Sequence, residues 1–165
     1  MIKRIAVALT ACLVLASAHG QLVEQDPDWK EIAVPPAPAY EKKRLIRFDV
    51  SNVQTLVFGV DPATISIGQD GVVRYVVVAS SQSGVVNAMY EAIRCSTAEV
   101  KTYARRIGES DWFYVKSEQW KTMRDSVNSR HAWNLARQGI CDGRAHRETV
   151  PEMVRTLRSS SNDQR

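Results

Sequence analysis

The N-terminal segment constrains this chain more than any other feature, because it has the pattern of a secretory signal peptide. Lys3 and Arg4 precede a short apolar run over residues 5–15, and the small residues Ala-Ser-Ala follow at 16–18. This order of charge, apolar run and small-residue cleavage site is typical of an export signal. We therefore expect residues 1–18 to be removed near Ala18 and the remainder to fold in an oxidising compartment.

The apolar runs are too short for a membrane span. Residues 5–15 fall short of the roughly 20 apolar residues that cross a bilayer, and the run at 76–79 is shorter still. The sequence thus predicts no transmembrane span. As an alternative to free release, Leu-Thr-Ala-Cys at 9–12 resembles a lipoprotein signal, in which Cys12 becomes the lipidated first residue. Apolar residues continue past Cys12, which favours cleavage near Ala18.

Two cysteines remain beyond the leader, Cys95 and Cys141. In an oxidising compartment, two cysteines most simply form one disulfide. The chain has no Cys-x-x-Cys motif of the kind found at redox sites. We therefore predict a structural disulfide rather than a redox-active one.

Charge and length restrict the class of protein further. The leader contains Lys3, Arg4 and no acidic residue, so that its removal lowers the formal net charge from +4 to +2. Nucleic-acid binding needs a concentrated basic face, and we expect no nucleic-acid partner. Residues 19–165 suffice for one domain, without a second independent core.

The composition divides the exported chain into three parts. Residues 19–43 form a proline-containing, extended lead-in that lies along the domain or spaces it from the membrane, with Trp29 as its anchor. Residues 44–158 form a single globular domain. The polar residues 159–165 are expected to be a disordered tail.

Period-two alternation and turn residues predict an antiparallel meander. Asp70-Gly71 marks a hairpin, and the strand that follows it is apolar on both faces, as expected at the centre of a sheet. Ser129 caps a helix that runs through Arg137, and residues 149–152 form a capping box before a second helix. The predicted strands cover residues 46–50, 56–60, 65–67, 72–80, 87–95, 99–106 and 112–115. The predicted fold class is α+β, with an antiparallel β-meander sheet, short C-terminal helices and one disulfide.

Several short blocks over residues 29–141 resemble the cryptic neisserial protein family, which consists of small exported bacterial proteins of unknown function. The blocks are Tyr75-Val76-Val77-Val78, Ser83-Gly84, Asn87, Tyr90-Glu91-x-Ile93-Arg94-Cys95 and Lys101-x-Tyr103-Ala104. One departure is Ala92, where the family commonly has glycine. The resemblance implies a shared domain and an envelope location, here the periplasm. It implies no activity.

The sequence contains no recognisable catalytic, phosphate-binding or zinc-binding motif. Beyond the cleavage junction, histidine occurs only at His131 and His146, which lack ligand spacing, and a zinc site would have to take the cysteines from the disulfide. We therefore expect no metal, no cofactor and no identifiable catalytic residue.

Glu91 is the best single candidate for chemistry. It shares the apolar face of its strand with Ile93, and a carboxylate there either pairs with a cation or has a raised pKa. Arg74 on the neighbouring strand is the expected partner, with Lys101 or Arg94 as alternatives if the strand bulges. We interpret the pair as structural; the functional alternative is a general acid or a group that orients a ligand.

A second candidate is a polar sheet face made of Tyr90, Arg94, Lys101, Tyr103 and Arg105. Aromatic rings interleaved with cations suit an anionic lipid headgroup, an acidic glycan or an acidic protein surface. The alternative is an ordinary solvated face.

Three functions follow from these observations. The leading hypothesis is a non-catalytic protein-interaction module of the bacterial envelope. The alternative is a binder of a small anionic or glycolipid ligand at the cationic, aromatic face. The third is a hydrolase with an unfamiliar site around Glu91.

Overall fold

The structure is a computed structural model that describes residues 26–50, 55–117, 119–124 and 127–162. The predicted signal peptide, residues 1–18, and its cleavage site lie outside these ranges. None of the helices in the described ranges has the length and hydropathy of a membrane span.

One antiparallel sheet forms the centre of the fold. Its strands are β1 (Ile46–Phe48), β2 (Leu56–Val60), β3 (Ser66–Ile67), β4 (Val73–Ser81), β5 (Val86–Arg94), β6 (Glu99–Ile107), β7 (Phe113–Tyr114) and β8 (Lys121–Thr122). In the described ranges the order is β1-β2-β4-β5-β6-β7, with β3 beside β4 and β8 beside β6. Gly71 and Gly84, with φ of 72° and 85°, turn the chain before β4 and before β5. The predicted α+β meander is confirmed.

A helical layer covers one side of the sheet, which we call the helix face. Helix α1 (Arg130–Leu135) continues as one π-helical turn (Ala136–Ile140), and the chain then passes through a short hairpin of β9 (Cys141–Asp142) and β10 (Ala145–His146) to α2 (Val150–Asn162). Gly139 permits close contact with α2, because a Cβ there would lie 2.7 Å from Leu157 Cδ2.

Helix α2 extends further than the sequence predicted. It reaches Asn162, so the expectation of a disordered tail over 159–165 is wrong as far as residue 162; residues 163–165 lie outside the described ranges. The reason is hydrogen bonding by two serine side chains, one to the π-helical turn and one within α2. Ser160 Oγ donates to the Gln138 carbonyl at 3.0 Å, and Ser159 Oγ donates to the Arg155 carbonyl at 3.2 Å.

Residues 26–45, which we call the strap, cover the other side of the sheet, the strap face. Trp29, Ala37, Tyr40 and Leu45 pack there against a buried cluster that includes Val76 and Tyr90. Arg94 lies over the Trp29 ring at 3.7 Å. The described part of the lead-in therefore lies along the domain, and Trp29 anchors it.

The predicted Cys95–Cys141 disulfide is confirmed. It joins the end of β5 to the chain that leaves the π-helical turn, across a sequence separation of 46 residues. The bond thus attaches the helical layer to the sheet.

Reduction of this disulfide should loosen the helical layer first. In the chain-entropy account, opening a 46-residue loop lowers the free energy of unfolding by about 4 kcal/mol. Hydrogen exchange with and without reductant should show loss of protection over 130–140 and 150–162 before β4 and β5. A Cys95→Ala/Cys141→Ala variant, on which reductant has no effect, is the control. An unchanged melting temperature on reduction would show that the bond contributes no stability.

Candidate functional site

A β-bulge in β6 decides which side chains meet at the site. Tyr90 lies opposite Ala104 and Glu91 lies opposite Thr102, so Tyr103 is an extra residue in β6. Side chains beyond the bulge therefore change face. Arg105, which alternation predicts beside Tyr103, points instead to the helix face, where its Nη1 lies 3.7 Å from Met89 Sδ. The prediction that all five residues share one face is therefore wrong for Arg105.

The strap covers the other members of that predicted face. These are Tyr90, Arg94, Lys101 and Tyr103. Tyr90 and Tyr103 are only 2% and 7% exposed. Glu31 of the strap accepts a hydrogen bond from the Tyr103 hydroxyl, and its Oε2 lies 2.7 Å from Lys101 Nζ. This part of the sheet is an internal interface of the chain rather than a solvated face.

The predicted pairing of Glu91 with Arg74 is also wrong. Residues opposite each other in a sheet share a face, and Glu91 lies opposite Tyr75, whereas Arg74 lies opposite Ala92 on the strap face. Arg74 Nη2 is 2.7 Å from Asp70 Oδ2. The alternative partners, Lys101 and Arg94, likewise contact the strap.

Glu91 instead forms a buried ion pair with His131 of α1. Glu91 Oε2 lies 2.8 Å from His131 Nε2 and accepts a 3.3 Å hydrogen bond from the Tyr75 hydroxyl. Oε1 accepts a 3.0 Å hydrogen bond from Thr102 Oγ1. The carboxylate, in a residue only 2% exposed, is therefore fully coordinated by donors. The expectation that Glu91 lies on the apolar face is correct, but its cationic partner is His131 rather than Arg74.

The sequence contains no local signal that pairs His131 with Glu91. His131 lies 40 residues from Glu91, and it reaches the carboxylate because α1 packs across the helix face. Phe58 of β2 stacks flat against the imidazole, with ring centroids 5.4 Å apart and planes 2° apart. The backbone of Asn128 accepts the remaining ring hydrogen bond. Ser129 occupies the predicted cap position, but its side chain forms no capping hydrogen bond; His131 is the second residue of α1.

The two groups stabilise each other's charge. Burial raises the pKa of Glu91, but the His131 cation and the hydrogen bonds from His131 and Thr102 outweigh burial and hold that pKa below its ordinary 4.5. Burial likewise lowers the pKa of His131, but the Glu91 charge and the Asn128 backbone raise it above its ordinary 6.5. Burial and the Glu91 charge raise the pKa of Tyr75 well above 10, which keeps it a neutral donor.

A cavity of about 660 Å³ opens beside this pair, between the sheet and the start of α1. Glu91 and His131 lie in its wall. Arg105, an exposed residue, also lines it. The other described lining residues are apolar (Leu56, Phe58, Ala79, Ala88, Met89, Val100 and Ile107), polar (Asn87, Thr102, Asn128 and Ser129) or basic (Arg106 and Lys121).

The geometry of the pair opposes acid–base catalysis. Both ring nitrogens of His131 face acceptors, Glu91 and the Asn128 backbone, so the ring holds its protons and has no nitrogen available for a substrate. Glu91 already accepts three hydrogen bonds. Within the described ranges, no group of three or more metal-ligating side chains is present. Glu91 and His131 thus form a fixed ion pair in the wall of the cavity.

Glu91→Gln should destabilise the protein in a pH-dependent way. A raised histidine pKa contributes stability below 6.5 that is lost as pH rises through the folded value; a lowered glutamate pKa contributes stability above 4.5 that is lost as pH falls through the folded value. The pair therefore contributes most to the free energy of unfolding between pH 4.5 and pH 6.5. Breaking it there should lower the free energy of unfolding by about 3 to 5 kcal/mol.

Urea unfolding across the pH range measures this loss. The deficit should shrink as pH rises above the folded-state pKa of His131, and Glu148→Gln, at an exposed position, should change little. A deficit of the same size at every pH would mean that the substitution acts through the hydrogen bonds of the carboxylate rather than through its charge.

Comparison with known proteins assigns the family. A model of the CNP1-like family matches residues 24–158, which include the strap, the sheet and both members of the Glu91–His131 pair. No curated protein and no solved structure matches the chain significantly. The matched range also contains the blocks over residues 75–104 on which the sequence resemblance depends. The chain therefore belongs to the CNP1-like family.

Proposed function

We propose that this protein is an exported, non-catalytic binding domain of the bacterial envelope, and that its cavity beside Glu91 and His131 holds a small anionic ligand with an apolar part. Export is supported by the signal-peptide pattern at residues 1–18 and by a disulfide suited to an oxidising compartment. The resemblance to the cryptic neisserial proteins supports the periplasm as the location.

The observation that carries the ligand proposal is the position of Arg105. Its guanidinium lies on the cavity wall and, within the described ranges, has no carboxylate at ion-pair distance; the contact of its Nη1 is Met89 Sδ. Glu91, which interacts electrostatically with Arg105, is already neutralised by His131. The wall therefore presents a net positive charge, which favours an anion.

The rest of the cavity indicates an apolar body for the ligand. Side chains of Leu56, Phe58 and Met89 contribute to an apolar wall, and the volume of about 660 Å³ is within the range of small-molecule sites. A short-chain carboxylate has this combination of charge and apolar surface. The class of ligand is thus a small amphiphile with an anionic head.

Octanoate and its neutral amide, octanamide, provide a matched pair of probes. Octanoate should shift the backbone NMR resonances of residues 87–91 and 100–105, and Arg105→Gln should weaken its binding about tenfold, because a charge-assisted hydrogen bond is lost. Arg105→Gln should leave octanamide binding unchanged. Arg155→Gln, at an exposed site on α2, is the control. Equal affinity for the two probes, or shifts outside the cavity, would count against the proposal.

A protein partner is the second candidate, and the outermost strand supports it. In β7, Phe113 is 71% exposed and Tyr114 is 50% exposed, and Ile107 at the end of β6 is 69% exposed. Exposed aromatic residues at a sheet edge are typical of protein-binding surfaces.

Photo-crosslinking in living cells tests both export and this edge. A photoreactive phenylalanine analogue at position 113 should capture a defined envelope protein, and the same analogue at position 155 should not. The mass of the recovered protein should correspond to a chain that begins after Ala18. A mass that corresponds to the chain with its leader would contradict export. Equal capture at positions 113 and 155 would show that the β7 edge is not a specific protein-binding surface.

A further inference from the structure

A groove of about 870 Å³ lies away from the Glu91–His131 cavity, at the β1–β2 edge of the sheet. The end of the strap, β1, β2 and the last turn of α2 contribute to it. Five of its lining side chains are basic, and none of the described lining residues is acidic. The basic residues are Lys42, Lys43, Arg44, Arg47 and Arg158. The formal net charge of +4 for the whole chain does not reveal this local concentration.

We propose that this basic groove is a binding site for a ligand that carries phosphate groups. Three of the cations have carboxylate partners: Lys42 Nζ lies 3.0 Å from Glu109 Oε1, Lys43 Nζ lies 3.4 Å from Glu41 Oε2 and Arg44 Nη2 lies 2.8 Å from Asp61 Oδ2. Arg47 and Arg158 are exposed and form no ion pair with any described residue. The groove therefore has two guanidinium charges in excess.

Arginine suits phosphate because the planar guanidinium donates two parallel hydrogen bonds to two oxygens of one group. Ser161 and Asn162 add hydroxyl and amide donors to the groove. Its volume exceeds that of a single inorganic phosphate, which indicates a ligand with two phosphates or with one phosphate on a larger body. Val57, 48% exposed, provides apolar contact for such a body.

The basic turn of the strap is held in place by a buried acid. Asp61, fully buried, accepts hydrogen bonds from Arg44 Nε at 3.2 Å and from the Glu41 backbone N–H at 2.8 Å. Leu45 then packs against Gly59, where a Cβ would lie 3.0 Å from Leu45 Cβ. The turn over Lys42–Arg44 is thus fixed to the sheet before any ligand arrives.

Pyrophosphate and anionic vesicles are the probes. Binding of pyrophosphate is measured by calorimetry, and co-sedimentation is measured with vesicles of phosphatidylglycerol and phosphatidylcholine. Arg47→Ala/Arg158→Ala should weaken binding about tenfold or more, since two charge-assisted contacts are lost. Lys116→Ala/Arg155→Ala removes the same charge from exposed positions outside the groove and should have a far smaller effect.

The outcomes separate the sources of phosphate. Pyrophosphate binding without vesicle binding supports a soluble phosphate ester, and vesicle binding without pyrophosphate binding supports a lipid headgroup. No binding of either probe, or equal losses in the two double variants, overturns the proposal. If the protein sediments equally with pure phosphatidylcholine vesicles and with vesicles that contain phosphatidylglycerol, an anionic lipid headgroup is not the ligand. Arg105→Gln should change none of these results, so the groove and the cavity are tested independently.

Discussion

The buried bond between Glu91 and His131 connects the two layers of the domain, and the candidate site exists because of it. Strand β5 carries Glu91, and Cys95 follows directly after its end. Glu91 binds the first turn of α1, whereas Cys95 is bonded to Cys141, just after the π-helical turn. Strand β5 and the residue that follows it therefore hold both ends of the helical segment 130–140, by an ion pair at one end and by a disulfide at the other.

A single extra residue in β6 gives the two sides of the sheet different roles. The bulge at Tyr103 leaves Lys101 and Tyr103 under the strap and moves Arg105 to the helix face. The strap face is consequently closed by the chain's own Glu31 and Trp29. The helix face keeps a cavity with a positive wall. A polar surface that alternation predicts as continuous is thus divided between an internal interface and the wall of a cavity.

Features that depend on neighbouring residues were predictable from the sequence. Alternation and the Asp70-Gly71 turn predict the strands, and strand parity places Glu91 on the buried face. The partner of Glu91 was not predictable, because His131 lies 40 residues away and reaches it only through helix packing. The bulge at Tyr103 was not predicted either, because strict alternation was assumed along residues 99–106, which contain no glycine or proline to mark an extra residue. The extra helical turn near Ser160 depends on a tertiary hydrogen bond to Gln138.

The protonation state of His131 is the most direct test of the buried Glu91–His131 ion pair. Nitrogen NMR of the imidazole follows each ring nitrogen separately as the pH is raised. The ion pair requires that the pKa of His131 lie above its ordinary 6.5 and that both nitrogens carry protons below that pKa, because Glu91 and the Asn128 backbone accept both protons. A pKa at or below 6.5 would contradict the buried ion pair and, with it, the proposed positive wall of the cavity.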